Sequence, residues 1–224
     1  MAAAGREHNP GPTLRILREG RGSRPEVRLV QNEHGLAVIK DYSCGNWVLR
    51  VLGLVLISRE RRAYRRLAKL KGIPRWFEHH DPYIMSIEYI ESKTGSEAPV
   101  DLLTPEFFGR LATLIDEMHR LGVAHGDLKR LDNILITPEG EPYLIDFSAA
   151  FWNGSNPFSA FVMPYLIDDD NRAVFKLKYR RVKHLLTPEE EAFMNARGPL
   201  ERVWRIVREW LRKPVQHLAE IEQD

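Results

Sequence analysis

The fold of this chain is decided by the stretch Val123-Ala124-His125-Gly126-Asp127-Leu128-Lys129, followed by Asn133-Ile134-Leu135-Ile136 and Leu144-Ile145-Asp146-Phe147. The turn Thr-Pro-Glu-Gly-Glu-Pro separates two short apolar runs, a pattern that predicts a strand, a turn and a second strand. Such a hairpin presents Asn133 and Asp146 at one end. Their amide and carboxylate oxygens are hard ligands of the kind that Mg2+ prefers, and Asp127 is a candidate acceptor for a hydroxyl proton.

In this order and spacing, the three pieces resemble the catalytic core of the protein kinase superfamily. H-G-D-L-K at 125–129 is similar to the kinase catalytic loop, N-I-L-I at 133–136 to the strand after it, and D-F-S at 146–148 to the D-F-G motif. The likeness is to small bacterial or atypical branches, akin to the lipopolysaccharide sugar kinases and the RIO-type kinases.

The resemblance implies an α+β, two-lobed protein-kinase-like fold, with a small N-lobe sheet carrying one helix and a reduced, mainly helical C-lobe. We expect a flexible N-terminus over residues 1–12, the N-lobe over 13–91 and the C-lobe over 92–224. Length and a hydrophobic content of 43% allow a substantial core of this kind.

The upstream half contains the cation and the carboxylate that phosphate binding requires. A short apolar run over 36–40 ends in Lys40 and resembles the V-A-I-K strand of the family. In the basic stretch 59–71, Glu60 shares helical spacing with Tyr64 and Leu67, which places it on an apolar stripe. A buried carboxylate needs a partner because an unpaired buried charge is strongly destabilising. The resemblance implies that the partner is Lys40 and that the pair orients the ATP phosphates.

Two upstream segments are candidates for nucleotide binding. Gly20 and Gly22 fit a G-x-G loop between predicted strands at 13–17 and 26–30, although Pro25 stands in place of the third glycine. A plain turn explains these glycines as well as a phosphate-covering loop does. The run 84–90 resembles the strand and hinge that hold adenine through backbone groups of Glu88 and Ile90. An ordinary buried strand has the same pattern.

The catalytic loop departs from the family pattern in its length. Leu128 to Asp132 make the spacing between Asp127 and Asn133 one residue longer than in H-R-D-x-x-x-x-N. Either Asp132 or Asn133 is therefore a candidate ligand of the second metal ion. We favour Asn133 because it keeps the following strand in register with Asp146. Lys129 keeps the position of the loop lysine that contacts the transferred phosphate in protein kinases.

The segment after D-F-S is short and lacks an A-P-E motif. About twenty residues separate Ser148 from the acidic run 168–170, so a full peptide-docking surface does not fit easily. Asp170, or an acid beside it, is predicted to cap a helix over 171–181 and to hydrogen-bond the catalytic-loop backbone, as the resemblance implies. A solvated helix N-terminus explains the acids nearly as well.

Composition favours a soluble, cytoplasmic protein. The single cysteine, Cys44, excludes an intramolecular disulfide, and the sequence contains neither a signal-like apolar segment in its first twelve residues nor an apolar run long enough to span a bilayer. A net charge of +2 gives no reason to expect a nucleic-acid partner. The basic stretches 59–71 and 172–183 fit solvated helix faces, or the footprint of an anionic partner such as the inner face of a membrane.

The resemblance implies an ATP-dependent phosphotransferase with Mg2+ and ATP as cofactors. Asp127, Lys129, Lys40 and Glu60 are then catalytic, and Asn133 and Asp146 hold the metal. A protein serine or threonine is the first candidate acceptor. A hydroxyl of a lipopolysaccharide-type glycolipid is the second, favoured by the short segment and the basic surfaces. A catalytically inactive pseudokinase is a third alternative, favoured by the missing glycine and the lengthened loop.

Overall fold

The computed structural model describes residues 11–20, 25–43, 47–77, 81–153 and 157–195, excluding the side chains of 47–49 and 157–160. The chain divides into two compact units: the first runs to Ser58 and includes Arg75–Tyr89, and the second contains Arg59–Pro74 and resumes at Ile90. The strands and helices confirm the predicted α+β class. The predicted lobe boundaries at residues 12 and 91 stay a prediction. No helix in the described ranges is long and apolar enough to cross a membrane.

The first unit contains one antiparallel sheet. Its strands are β1 Thr13–Arg18, β2 Glu26–Asn32, β3 Gly35–Asp41, β4 Trp76–Phe77 and β5 Ile84–Glu88, in the order β1-β2-β3-β5-β4. Along β3, Ala37 and Ile39 are buried with Val30 of β2. Because side chains alternate along a strand, Lys40 lies on the opposite face from Ile39, where it is opposite Val27 and Met85 in register.

A long helix, α1 Trp47–Leu67, begins in the first unit and ends in the second. The predicted basic helix at 59–71 corresponds to its C-terminal part, which ends four residues earlier than predicted. Glu60, Tyr64 and Leu67 are all fully buried, which confirms the apolar stripe on which Glu60 was placed. The N-terminal part of α1 was not predicted because its residues are apolar on several faces, and Val51 and Val55 are exposed.

The described part of the second unit contains five short strands in two sheets. These are β6 Lys93–Thr94, β7 Val123–Ala124, β8 Ile134–Ile136, β9 Pro142–Leu144 and β10 Phe151–Trp152. The hairpin β8-β9 is antiparallel, with Ile134 opposite Leu144, as the sequence predicts, and β6 extends it. β10 pairs with β7, so the segment that follows the D-F-S motif lies beside the segment that precedes the catalytic loop.

Two helices of the second unit begin with side-chain caps. In α2 Pro105–Arg120, the hydroxyl of Thr104 accepts a hydrogen bond from the Phe107 amide, and Leu111, Ile115 and Met118 form part of its buried face. In α4 Pro188–Asn195, Thr187 and Glu190 exchange hydrogen bonds between side chain and backbone, which completes a capping box.

The helix predicted over 171–181 is longer than expected. The helix α3 runs Pro157–Arg181, so it starts well before the acidic run, and Asp170 lies inside it rather than at its cap. Pro164 lies inside α3, although proline lacks an amide hydrogen and clashes with the preceding turn. Val162, Met163 and Leu166 nevertheless pack around Ala124 of β7, and this burial favours the helix.

Candidate active site

The catalytic-loop segment follows β7 directly and turns sharply at Gly126. Gly126 has a φ of 75°, and a Cβ atom added there would lie 2.8 Å from the backbone oxygen of Ala149. Only glycine meets both conditions without strain. The close approach explains why the arginine found here in many kinases is absent, and it places Asp127 next to the segment that follows Asp146.

Asn133 is tied to Asp127 and to the residue before Asp146. Its side-chain nitrogen donates to the Asp127 carbonyl oxygen at 3.1 Å, and its own carbonyl accepts from the Ile145 amide at 3.0 Å. Asn133 is 6% exposed, whereas the neighbouring Asp132 is exposed to solvent. The bond to Asp127 commits the amide nitrogen of Asn133, and its amide oxygen is the atom that can bind a cation. This geometry favours Asn133 over Asp132.

Asp146 has an unusual backbone conformation. With φ 65° and ψ 66°, it is the only residue other than glycine with a positive φ in the part of the chain that the structure describes. This left-handed conformation costs about 1 kcal/mol or more for a residue with a Cβ, and such strain is typically concentrated at functional sites. Asp146 directly follows the hairpin and precedes the buried Phe147. Its conformation is therefore an independent reason to place it in the site.

Asp170 holds the catalytic loop against the helix α3. It is 1% exposed, and its carboxylate accepts hydrogen bonds from the His125 amide at 2.7 Å and the Gly126 amide at 3.0 Å. His119 of α2 lies 3.1 Å away through Nε2. The prediction that Asp170 bonds the loop backbone is confirmed. The prediction that it caps a helix is wrong, because α3 begins thirteen residues earlier.

His125 is a site residue to which the sequence analysis assigned no role. It is fully buried, and its Nε2 lies 2.9 Å from the Ile145 carbonyl oxygen. A carbonyl can only accept, so Nε2 carries the proton. Its Nδ1 has no hydrogen-bond partner among the described residues. The ring centroid lies 4.7 Å from that of Phe147. His125 therefore packs between the catalytic loop and the hairpin as a positioning residue. The H-x-D spacing was its only sequence signal.

Charged side chains surround Asp127. Arg130 lies 3.7 Å from its carboxylate, and Lys129 forms an ion pair with Asp169 of α3. Lys176 of α3 donates to the Lys129 carbonyl oxygen at 3.0 Å. Burial, then the charges of Arg180 and Lys129, lower the pKa of Lys176, while Asp169 and Asp127 oppose that shift. The contact was not predicted because it joins residues far apart in sequence.

The helix α1 also contacts the segment after Asp146. Arg59 donates to the Ala150 carbonyl oxygen at 2.9 Å, and Arg62 lies over the Trp152 ring at 4.5 Å. Burial lowers the pKa of the Arg59 guanidinium. Tyr64 meets the ring of Phe147 edge to face at 5.1 Å. These contacts hold the D-F-S segment against the face of α1 that carries Glu60.

The remaining predicted site residues lie in different parts of the chain. Lys40 lies on β3 in the first unit and Glu60 on α1 in the second, and their pairing stays a prediction. Gly20 follows β1, and Gly22 lies outside the described residues. The Glu88 amide donates to the Arg75 carbonyl oxygen, and the Ile90 carbonyl accepts from the Ser92 hydroxyl. Adenine binding by Glu88 and Ile90 also stays a prediction.

The residues around the hairpin fit a magnesium ion. Mg2+ is usually bound by one or two protein oxygens together with phosphate oxygens and water, rather than by an all-protein cage. Asn133 supplies an amide oxygen, and Asp146, which follows the Ile145 amide bonded to Asn133, supplies a carboxylate oxygen. The described ranges contain no group of three or more His, Cys, Asp or Glu that could hold a metal ion.

Comparisons with known proteins agree with this fold. The solved structures of the Rio2 kinase from Chaetomium thermophilum, one of them an ADP/Mg2+-phosphoaspartate complex, superpose with a TM-score of 0.58 at 16% identity. The match covers 84% of this chain and 59% of the protein in that complex, or 61% of the other. The serine/threonine-protein kinase PSK2 of Saccharomyces cerevisiae is 26% identical over 171 residues. That match covers 66% of this chain but 15% of PSK2. No family model matches.

These similarities establish the fold. The chain has a protein-kinase-like fold, as the sequence predicts, with a small sheet-bearing N-terminal part and a mainly helical C-terminal part. The chain spans about 60% of the length of the Rio2 structures that it matches.

Proposed function

We propose that the chain is a phosphotransferase that moves the γ-phosphate of Mg-ATP to a hydroxyl group. The observation that carries the proposal is the bonded network of the catalytic loop and the hairpin. It joins the Asp127 backbone, the buried Asn133 side chain and the residue before the left-handed Asp146. The protein-kinase-like fold and the solved Rio2 complex with ADP and Mg2+ support it.

Asp127 acts on the acceptor hydroxyl. A carboxylate positioned next to the hydroxyl orients it and accepts its proton as the oxygen attacks phosphorus. Arg130, 3.7 Å from this carboxylate, helps to hold it in place. Lys129 neutralises charge on the moving phosphoryl group, and its ion pair with Asp169 holds it near the loop until the phosphate arrives.

Asn133 and Asp146 hold Mg2+, which neutralises phosphate charge when bound. Lys40 and Glu60 keep the roles that the sequence predicts: the ammonium orients the ATP phosphates and the carboxylate orients the ammonium. Gly20, Gly22, Glu88 and Ile90 belong to the nucleotide-binding part of this proposal. His125 and Asp170 do not touch the reacting atoms, and they position the loop instead.

Two observations bear on the acceptor. The sequence similarity to a serine/threonine-protein kinase supports a protein serine or threonine as the first candidate. The short connection supports a glycolipid hydroxyl as the second, because α3 begins at Pro157, eleven residues after Asp146, and leaves little chain for a peptide platform. Cytoplasmic location, with contact to an anionic membrane face in the glycolipid case, remains part of the proposal.

Transfer of labelled phosphate from ATP tests the proposal. The full chain is incubated with Mg-ATP and either a generic protein substrate or an anionic glycolipid extract. The Asp127→Asn variant should lose incorporation by a factor of about a hundred or more, as expected for a general base. Glu139→Gln, which changes an exposed acid in the turn between β8 and β9, is the matched control and should keep full activity.

The same assay separates the alternatives. Asn133→Ala should lose Mg2+-dependent transfer while Asp132→Ala keeps it; the reverse result would move the metal ligand to Asp132. Incorporation only into glycolipid would select the second acceptor. Nucleotide binding without transfer to either acceptor would favour the pseudokinase.

A further inference from the structure

Among the described residues, a basic cluster on two elements of the second unit, the catalytic loop and α3, contains Lys129, Arg130, Lys176 and Arg180, and the Lys176 charge is influenced by Arg180, Lys129, Asp169 and Asp127. Lys129 and Arg130 follow Asp127 in the loop, and Lys176 and Arg180 lie four residues apart on α3, so they share one face of that helix. The hydrogen bond of 3.0 Å from Lys176 to the Lys129 carbonyl oxygen joins that face to the loop.

The cluster has an excess of positive charge. Its two carboxylates, Asp127 and Asp169, are engaged by Arg130 and Lys129 respectively. Lys176 is half-buried, and burial together with the charges of Arg180 and Lys129 lowers its pKa. A solvated basic helix face does not produce this effect, since water screens exposed cations from one another. An added anion would relieve the repulsion among these cations.

The position of the cluster links it to the acceptor. The connection from Asp146 to α3 consists of a short helical turn, β10 and a few further residues, so recognition of an acceptor falls on the loop and on α3 themselves. Residues four apart on a helix have their Cβ atoms about 5–6 Å apart. Alternate side chains of an extended peptide are about 6.5 Å apart, so two such carboxylates match the spacing of Lys176 and Arg180.

Resting on the phosphotransferase function above, we propose that Lys176 and Arg180 form an acceptor subsite for acidic side chains. The acceptor is a protein segment in which the serine or threonine that receives the phosphate is flanked by aspartate or glutamate. Lys176 and Arg180 are thus specificity-determining residues, and they take no part in moving the phosphoryl group.

Binding of two labelled peptides tests the subsite without requiring turnover. Both contain one serine in an extended sequence, flanked by glutamates in one peptide and by glutamines in the other. Fluorescence anisotropy with the full chain at low salt should show that the glutamate peptide binds about tenfold more tightly, as expected for charge-assisted hydrogen bonds. Raising the salt to about 0.5 M should remove most of that preference.

The variants locate the effect. Lys176→Met/Arg180→Met should bind both peptides equally, and Arg180→Met alone, a change at an exposed position, should lose part of the preference without affecting folding. Lys183→Met, which removes an exposed cation just beyond α3, should keep the full preference. Equal binding of the two peptides by the wild type, or a preference that survives in the double variant, would overturn the proposal.

Two further outcomes distinguish this inference from the proposed function. If the glutamate peptide is preferred but no acceptor receives phosphate, the anion subsite stands and the phosphotransferase proposal falls. If vesicles containing a phosphorylated glycolipid bind through Lys176 and Arg180 and neither peptide binds, the acidic-protein acceptor is refuted. The phosphotransferase proposal is then tested separately, by transfer of labelled phosphate to the glycolipid.

Discussion

Replacing Asp170 with alanine should loosen the catalytic loop from α3. The Asp170 carboxylate is buried and accepts from the His125 and Gly126 amides at 2.7 Å and 3.0 Å, with His119 at 3.1 Å. Leaving a buried donor without its acceptor costs about 1–3 kcal/mol. The two backbone amides alone therefore predict a loss of roughly 2–6 kcal/mol in the free energy of unfolding of this region. Asp170→Asn keeps one accepting oxygen and should lose less.

Hydrogen exchange and urea unfolding together measure this loss. The amides of His125 and Gly126 should exchange at least about tenfold faster in Asp170→Ala, since a factor of ten corresponds to 1.4 kcal/mol. The urea midpoint should fall as well. Asp168→Ala, which removes an exposed acid from the same helix, is the control and should change stability by no more than about 0.5 kcal/mol. Unchanged exchange of both amides in Asp170→Ala would refute the reasoning.

Three further predictions address packing, capping and charge. Gly126→Ala should destabilise the protein by roughly 2 kcal/mol or more, because residue 126 has a left-handed backbone and its new Cβ would meet the Ala149 backbone. Gly109→Ala lies in open space on α2 and should stabilise the protein by about 0.5–1 kcal/mol. Thermal unfolding that shifts in the same direction for both variants would contradict this pair of predictions. Thr187→Ala should cost about 1 kcal/mol by removing the capping box of α4, and an unchanged urea midpoint would count against that box. Lys176 is charged at pH values below its pKa. Burial and the charges of Arg180 and Lys129 lower that pKa from the ordinary 10.5, and Asp169 and Asp127 oppose the shift. Binding of the glutamate peptide should therefore weaken as the pH rises towards that value, and Lys176→Arg should hold the affinity constant over the same range; parallel pH profiles would exclude Lys176 from the subsite.

Local sequence patterns predicted much of the fold. The strand β2, the apolar strand β3 that contains Lys40, the hairpin β8-β9 and the buried position of Glu60 all depend on residues close together in the chain. The spacing between Asn133 and Asp146 likewise encodes the end of one hairpin. Such features follow from side-chain periodicity and turn chemistry alone.

The remaining features depend on contacts between distant segments. The hydrogen bonds from the His125 and Gly126 amides to Asp170 span 45 and 44 residues, and only the family resemblance suggested them. Lys176 reaches Lys129 across 47 residues, and nothing in its neighbours indicates this contact. The start of α3 was predicted wrongly because the acidic run 168–170 was interpreted as a helix cap. Packing around Ala124, which is distant in sequence, favours helix upstream of that run.

The most direct test of the central claim is a calorimetric titration of ATP into the full chain, with and without Mg2+, for the wild type and Asp146→Asn. The account predicts that the wild type binds ATP in a Mg2+-dependent manner and that the variant loses this dependence. Absence of ATP binding in both proteins, with or without Mg2+, would contradict the phosphotransferase assignment.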